Sequence, residues 1–204
     1  VGNVRRSLIA TNTLNNTAFI FTSYNGFLHG LHRLTEKMPA YEEGIRVPLI
    51  IRAPWLGGAK TISQPVLNND LAPTIADFAG ILSYANQVVD GRSLIPLMKN
   101  PLISPWRKKF LISHWFEAES FFGIKLPPTY FAVRTASPNA KLYVEYPTIT
   151  SGINREFYDL VKDPYELDNR YNDPVFQTEI QSLRTWLGKI GTCKAQTCRD
   201  LENE

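Results

Sequence analysis

Apolar positions fall in two rhythms along the chain. In the first half they form short unbroken runs: Ala18-Phe19-Ile20-Phe21 ahead of Thr22-Ser23, then Val47-Pro48-Leu49-Ile50-Ile51 between Arg46 and Arg52. Such runs predict strands buried on both faces, as in a parallel sheet, with residues 24–43 as a polar loop between them. Pro54 and Gly57-Gly58 end the second strand. Asn69 or Asp70 can cap a helix over 71–79, with Pro73 in its first turn, Leu71, Ile75 and Phe78 on one face, and Gly80 as its stop. Strand, crossover and helix in this order predict an α/β layer with a largely parallel sheet.

The rhythm changes after Pro96. Residues 96–105 hold three prolines, and shorter, more alternating segments follow at 110–115, 130–134, 141–146 and 156–160, separated by Pro, Gly and Asn. That pattern predicts a small antiparallel sheet. Asp173 ahead of Pro174 opens a final helix, in which Phe176, Ile180, Leu183, Leu187 and Ile190 make one apolar stripe to lie on that sheet. Gly191 ends it. The boundary between the two textures divides the chain into 1–98 and 99–204.

Composition narrows the classes. With 44% hydrophobic residues in 204, a packed core is expected and general disorder is excluded. Twenty-two Lys+Arg against 19 Asp+Glu leave +3, and the densest basic clusters are only Arg5-Arg6 and Arg107-Lys108-Lys109. A nucleic-acid binder concentrates its cations on one face, so no nucleic-acid partner is expected. No apolar run reaches the roughly 18 residues of a membrane span. The start at Val1 has neither an initiator Met nor a signal-peptide pattern, and 204 residues read as a fragment's length.

Cys193 and Cys198 are too few for a metal quartet, with His29, His32 and His114 distant in sequence, and they are not a C-x-x-C pair. They read as a local disulfide in an oxidising compartment, or as two thiols on a fraying tail. Asn15-Asn16-Thr17 fits a glycosylation acceptor, a triplet that chance often supplies. The chain has no phosphate-binding glycine loop, no G-x-S-x-G and no H-E-x-x-H. The informative stretch is residues 24–43, placed beyond a strand's carboxyl end, where α/β sheets bind ligands. Lys and His side chains there suit an oxyanion, and Asn25 offers a carbonyl oxygen to a hard cation. The same composition also fits a solvated surface connection.

Thr22-Ser23-Tyr24-Asn25-Gly26-Phe27, Gly30-Leu31-His32-Arg33-Leu34, Lys37 and the run from Tyr41-Glu42-Glu43-Gly44-Ile45-Arg46 to Ala53-Pro54 resemble the type I sulfatases. Further similar segments are Asn69-Asp70-Leu71-Ala72-Pro73-Thr74, Asp90-Gly91-Arg92-Ser93-Leu94 and Ala132-Val133-Arg134-Thr135. Lys141-Leu142-Tyr143-Val144-Glu145-Tyr146, Phe157-Tyr158-Asp159-Leu160 and Lys162-Asp163-Pro164-Tyr165-Glu166-Leu167-Asp168-Asn169 extend the match. Cys193-Lys-Ala-Gln-Thr-Cys198-Arg199 is similar to the ending of the N-acetylglucosamine-6-sulfatase branch. The resemblance implies an alkaline-phosphatase-like α/β fold, here its C-terminal sheet-and-helix part, plus an antiparallel subdomain closed by a helix. It implies hydrolysis of sulfuric esters, with a sulfated small molecule or sugar as substrate, a formylglycine nucleophile made within C/S-x-P-x-R, and Ca²⁺ as cofactor. The disulfide reading implies an oxidising compartment, hence a secreted, periplasmic or lysosomal location.

By the same resemblance Lys37 contacts the sulfate group, with His29 as a further pocket residue; Asn25 is a calcium ligand; and Tyr41, Glu42 and Arg46 brace the loop, while His32 either faces the leaving-group side of the sulfate pocket or makes a plain loop contact. Three positions depart from the pattern. Tyr24 stands where the family has an Asp beside Asn25; His29 is displaced by one residue within Phe27-Leu28-His29-Gly30; and no C/S-x-P-x-R occurs, so the nucleophile is absent from this chain. The expectation is therefore a portion lacking the N-terminal half of the enzyme, inactive alone. The rival readings are a non-catalytic relative and a phosphoester hydrolase of the same superfamily. His114 reads as a satisfied core or rim histidine, Glu117 and Glu119 as solvated. Phe116, Phe121, Phe122, Tyr130 and Phe131 read as core packing or as a sugar-stacking wall.

Overall fold

The computed structural model describes residues 1–35, 37–82, 89–115, 120–121, 124–125, 128–149 and 154–204. Helix α1 (Gly2–Ala10) leads into strand β1 (Phe19–Thr22), and a 26-residue connection containing the short helix α2 (Glu42–Ile45) returns to β2 (Leu49–Arg52). These strands pair with each other antiparallel, Phe19 opposite Arg52 and Thr22 opposite Leu49. The parallel arrangement expected from the sequence is thus corrected for this pair. A parallel return needs a crossover that carries the chain the length of the sheet. Here the connection doubles back locally, with the Gly26 N–H donating to the Gly44 carbonyl at 2.9 Å.

The expectation of burial on both faces is corrected too. Leu49 and Ile51 pack with Leu94, Leu97 and Trp106, whereas Ile50 points the other way and is 63% exposed. Its cross-strand neighbour Phe21 is 49% exposed. Among the described residues nothing covers that face.

Helix α3 (Leu71–Phe78) follows the sequence expectation, with Asp70 in the N-cap position and Gly80 at φ +75° just after the helix. Only glycine adopts that conformation without steric penalty. The Asp70 side chain, however, makes no cap bond to the helix. A short helix α4 (Ile95–Lys99) then leads to the second half.

The predicted antiparallel sheet is present. Strands β3 (Lys109–His114), β6 (Tyr130–Thr135), β7 (Lys141–Glu145) and β8 (Arg155–Asp159) lie in the order β3-β6-β7-β8, and a small hairpin of β4 (Ser120–Phe121) and β5 (Ile124–Lys125) stands apart. Successive side chains of a strand point to opposite faces, and both faces here are covered. Val133, Tyr143 and Phe157 meet Ile180, Leu183, Trp186 and Ile190 of helix α5 (Gln177–Ile190). Ala132, Leu142, Val144 and Tyr158 meet Ala40 and Tyr41 of the first half. Asp173 accepts a bond from the Val175 N–H at 2.9 Å, ahead of α5.

The chain does not fray after α5. A further helix α6 (Gln196–Asn203) follows, Cys193 is bonded to Cys198 with Cα atoms 5.0 Å apart, and Cys198 is buried beside Trp186. The thiol-tail alternative is thereby removed. His114 is half-buried, and its Nε2 is buried without a hydrogen-bond partner, so it is not the satisfied histidine the sequence suggests. Tyr130 packs in the core and Trp115 meets Phe131 edge-on at 5.1 Å. Phe116, Glu117, Glu119 and Phe122, and the side chain of Phe121, lie outside the described residues.

Candidate functional site

The connection between β1 and β2 is folded tightly enough to make a surface. A Cβ on Gly26 would stand 1.9 Å from the Glu43 carbonyl oxygen, so the two ends of the loop can touch only through a glycine. The Ser23 hydroxyl donates to the Asn25 carbonyl at 2.8 Å. Backbone φ is positive at His29 (+48°), His32 (+53°) and Arg33 (+59°), conformations an L residue holds only when its surroundings impose them. The outcome is an open depression lined by Tyr24, Asn25, Phe27, His29 and Arg46, with no carboxylate in its wall.

Lys37 reaches this depression through Tyr24. Its Nζ donates to the Tyr24 hydroxyl at 3.3 Å and stands 4.7 Å over the ring centroid. Tyr24 itself is 82% exposed. His29 lies against Phe27, ring centroids 4.7 Å apart. Three groups able to donate to an anion, Lys37, His29 and Arg46, therefore sit on or beside one surface, on which Tyr24 presents a phenol. A hard cation takes about six to eight oxygen ligands, several of them carboxylates. Tyr24 and Asn25 supply one neutral amide oxygen and a phenol engaged by Lys37, and the Asn25 amide nitrogen donates to the Gly26 carbonyl. These residues do not make a Ca²⁺ site by themselves.

His32 faces elsewhere. Its ring stacks on Tyr41 at 3.9 Å between centroids, and its Nε2 lies 3.6 Å from Glu43 Oε2. Glu166, 2% exposed and at φ +54°, completes the group. Its Oε2 accepts from the Glu42 N–H at 3.0 Å, and burial, aggravated by the neighbouring Glu42 and Glu43, pushes its carboxyl up to about 8. With Glu43 beside the buried Glu166 carboxyl, this group is not a setting that attracts an oxyanion. Glu43 and Glu166 both lie within motif segments, but the sequence assigns neither a role, because only the fold brings residue 166 back to residue 43.

Tyr41 and Glu42 brace the loop against the antiparallel sheet, whereas Arg46, expected to brace it with them, lines the depression. The Tyr41 hydroxyl donates to Glu156 Oε2 at 3.1 Å, and Glu42 Oε1 pairs with Arg134 Nε at 2.7 Å. Glu156 also accepts from Tyr146 and Tyr158, at 3.0 and 2.9 Å. Its charge and burial raise the Tyr41 phenol far above its ordinary range, burial being the larger cause. Tyr41 is thereby fixed as a hydrogen-bond donor.

A family model described as N-sulphoglucosamine sulphohydrolase, C-terminal, matches residues 30–192. N-acetylglucosamine-6-sulfatase of Bos taurus is 30% identical over 91% of this chain and 36% of its own length. N-acetylglucosamine-6-O-sulfatase of Bacteroides thetaiotaomicron is 34% identical over 90% of this chain and 31% of its own length. The chain thus spans about a third of the length of these curated relatives. A solved structure described as complexed with its substrate D-glucosamine-2-N,6-O-disulfate matches with a TM-score of 0.78 and 26% identity, over 100% of this chain and 39% of that one. Phosphonate monoester hydrolase of Agrobacterium radiobacter matches with a TM-score of 0.75 and 25% identity, over 93% of this chain and 38% of that one.

Proposed function

Because the chain belongs to the sulfatase family, we propose that it forms the C-terminal part of a sulfuric ester hydrolase acting on sulfated sugars. The observation that carries this reading is the carboxylate-free depression with Lys37, His29 and Arg46 at its edge. An ammonium and an imidazole oriented by a folded loop stabilise the charge that shifts onto sulfate oxygens during S–O cleavage. The nucleophile comes from a C/S-x-P-x-R segment outside these 204 residues, and the chain alone does not turn over substrate. Asn25 is the residue of this chain that a Ca²⁺ ion shares, with the remaining ligands from outside it. Residues 1–98 complete the α/β domain and 99–204 form the C-terminal subdomain. The exposed Phe21–Ile50 face supports residues 1–98 being part of a larger domain, since it has the character of a surface awaiting cover. The disulfide supports an oxidising location, secreted, periplasmic or lysosomal.

Titration with glucosamine 6-sulfate, followed by the amide resonances of Asn25 to Lys37, tests the reading. Wild type is expected to show saturable shifts, weakened at least tenfold by Lys37→Ala, with no release of sulfate from an aryl sulfate even with Ca²⁺ added. Lys37-dependent turnover by the isolated chain would overturn the assignment of the nucleophile elsewhere. The likeness to a phosphonate monoester hydrolase favours a second reading, a phosphoester or phosphonate substrate. Tighter Lys37-dependent binding of the phosphate ester than of the sulfate ester would select it.

A further inference from the structure

Outside the depression, His32, Glu43 and Glu166 bring one ligand atom each to within 4.8 Å of one another. We propose that these three side chains form a binding site for a divalent transition-metal ion, of which Zn²⁺ is the representative. The donor set is one imidazole and two carboxyl groups, the mixture that suits zinc and its first-row neighbours.

The second observation is an unpartnered group. Glu166 is 98% buried by its 2% exposure, and while its Oε2 takes the Glu42 N–H, its Oε1 has no hydrogen-bond partner. Glu43 Oε2 is likewise buried without a hydrogen bond, the 3.6 Å separation from His32 Nε2 being too long for one. Two buried oxygens left without donors are costly, and a cation between them removes that cost. Nearby cationic charge is already engaged, since Arg134 is paired with Glu42 at 2.7 Å.

The surroundings hold the ligands in place. Tyr41 stacks on the His32 ring at an interplanar angle of 12°, which fixes its orientation, and the Glu42 N–H fixes the Glu166 carboxylate. Such supporting contacts raise metal affinity by holding ligands in position before the ion arrives. The site joins three separated segments, around residues 32, 43 and 166. A bound ion would therefore tie the Lys37-bearing loop to the chain that follows β8.

Calorimetric titration of the metal-free, disulfide-intact chain with ZnCl₂, paired with the visible spectrum of the Co²⁺ form, tests the site. One equivalent per chain is expected, with low-coordinate Co²⁺ bands. The affinity should drop at least tenfold in Glu166→Gln and in His32→Ala. Glu43→Gln, at a half-buried position, gives the same tenfold loss should either of the others fail to fold. Absence of binding by the folded chain, or binding that these variants leave unchanged, would overturn the proposal. Neither readout depends on sulfate binding at Lys37, so failure of this site and failure of the sulfatase reading remain separable.

Discussion

Arg107 shows how a single residue can organise distant parts of the chain. Only 1% exposed, its guanidinium makes a two-pronged contact with Asp70, at 2.7 and 2.9 Å, and a third contact with Glu202 at 2.9 Å. Arg92 reaches the same Glu202 oxygen at 2.6 Å. Asp70 also accepts the N–H groups of Leu67 and Arg92, which is why its carboxylate is not free to cap α3. A buried ion pair is weak evidence of net stabilisation, but removing one partner leaves the other charge buried and uncompensated. Arg107→Met is therefore expected to destabilise the fold by about 3–5 kcal/mol, read as a lower denaturant midpoint. A change below about 1 kcal/mol would mean that Asp70 and Glu202 find other partners. In the sequence Arg107 belongs to an unremarkable basic triplet, Arg107-Lys108-Lys109, and nothing in its neighbours marks the first residue as buried and the second as exposed.

At the scale of elements, the second half was the more legible. Alternation in a strand survives whichever partner it finds, so the four strands of the antiparallel sheet and the α5 stripe follow from local pattern. The stripe was incomplete in one respect: Trp186, buried at 3% exposure, joins it and donates its indole N–H to the Leu201 carbonyl at 2.8 Å. Helix α6 left no comparable mark, because its buried residues include Arg199 and Glu202 and it rests on the disulfide. Closing so short a loop restricts the unfolded chain by about 2 kcal/mol. Replacing both cysteines, Cys193→Ser with Cys198→Ser, is expected to cost that amount and to speed amide exchange in residues 196–203 before that in the antiparallel sheet. Uniform exchange across the chain would show that α6 opens only with global unfolding. The first-half strands misled for the opposite reason. An unbroken apolar run states that a strand is apolar, and says neither which partner it takes nor whether both faces are covered.

At the scale of the whole molecule, the loop carrying Lys37 is held from behind by the antiparallel sheet. Tyr41 to Glu156, Glu42 to Arg134, and the Tyr130 hydroxyl donating to the Met38 carbonyl all cross from one half to the other. Tertiary bonds involving charged groups contribute about 1.5–3 kcal/mol each. The double variant Tyr41→Phe, Glu42→Gln is accordingly expected to raise amide exchange at Gly44 and Ile45 about tenfold or more, with β6, β7 and β8 unchanged. Unchanged exchange at Gly44 and Ile45 would mean that the loop's own backbone bonds suffice.

The sequence by itself determined the family, the two textures of the chain, and the antiparallel sheet with its covering helix. Those features rest on local periodicity or on contiguous motifs, which the chain carries wherever it folds. Only the tertiary structure decided that β1 and β2 run antiparallel, that Asp70 serves Arg107 and not α3, and that His32 turns from Lys37 toward Glu43 and Glu166. Each of those outcomes depends on groups far apart in sequence sharing one buried volume. There the need to partner a buried charge or oxygen outweighs any preference that neighbouring residues express.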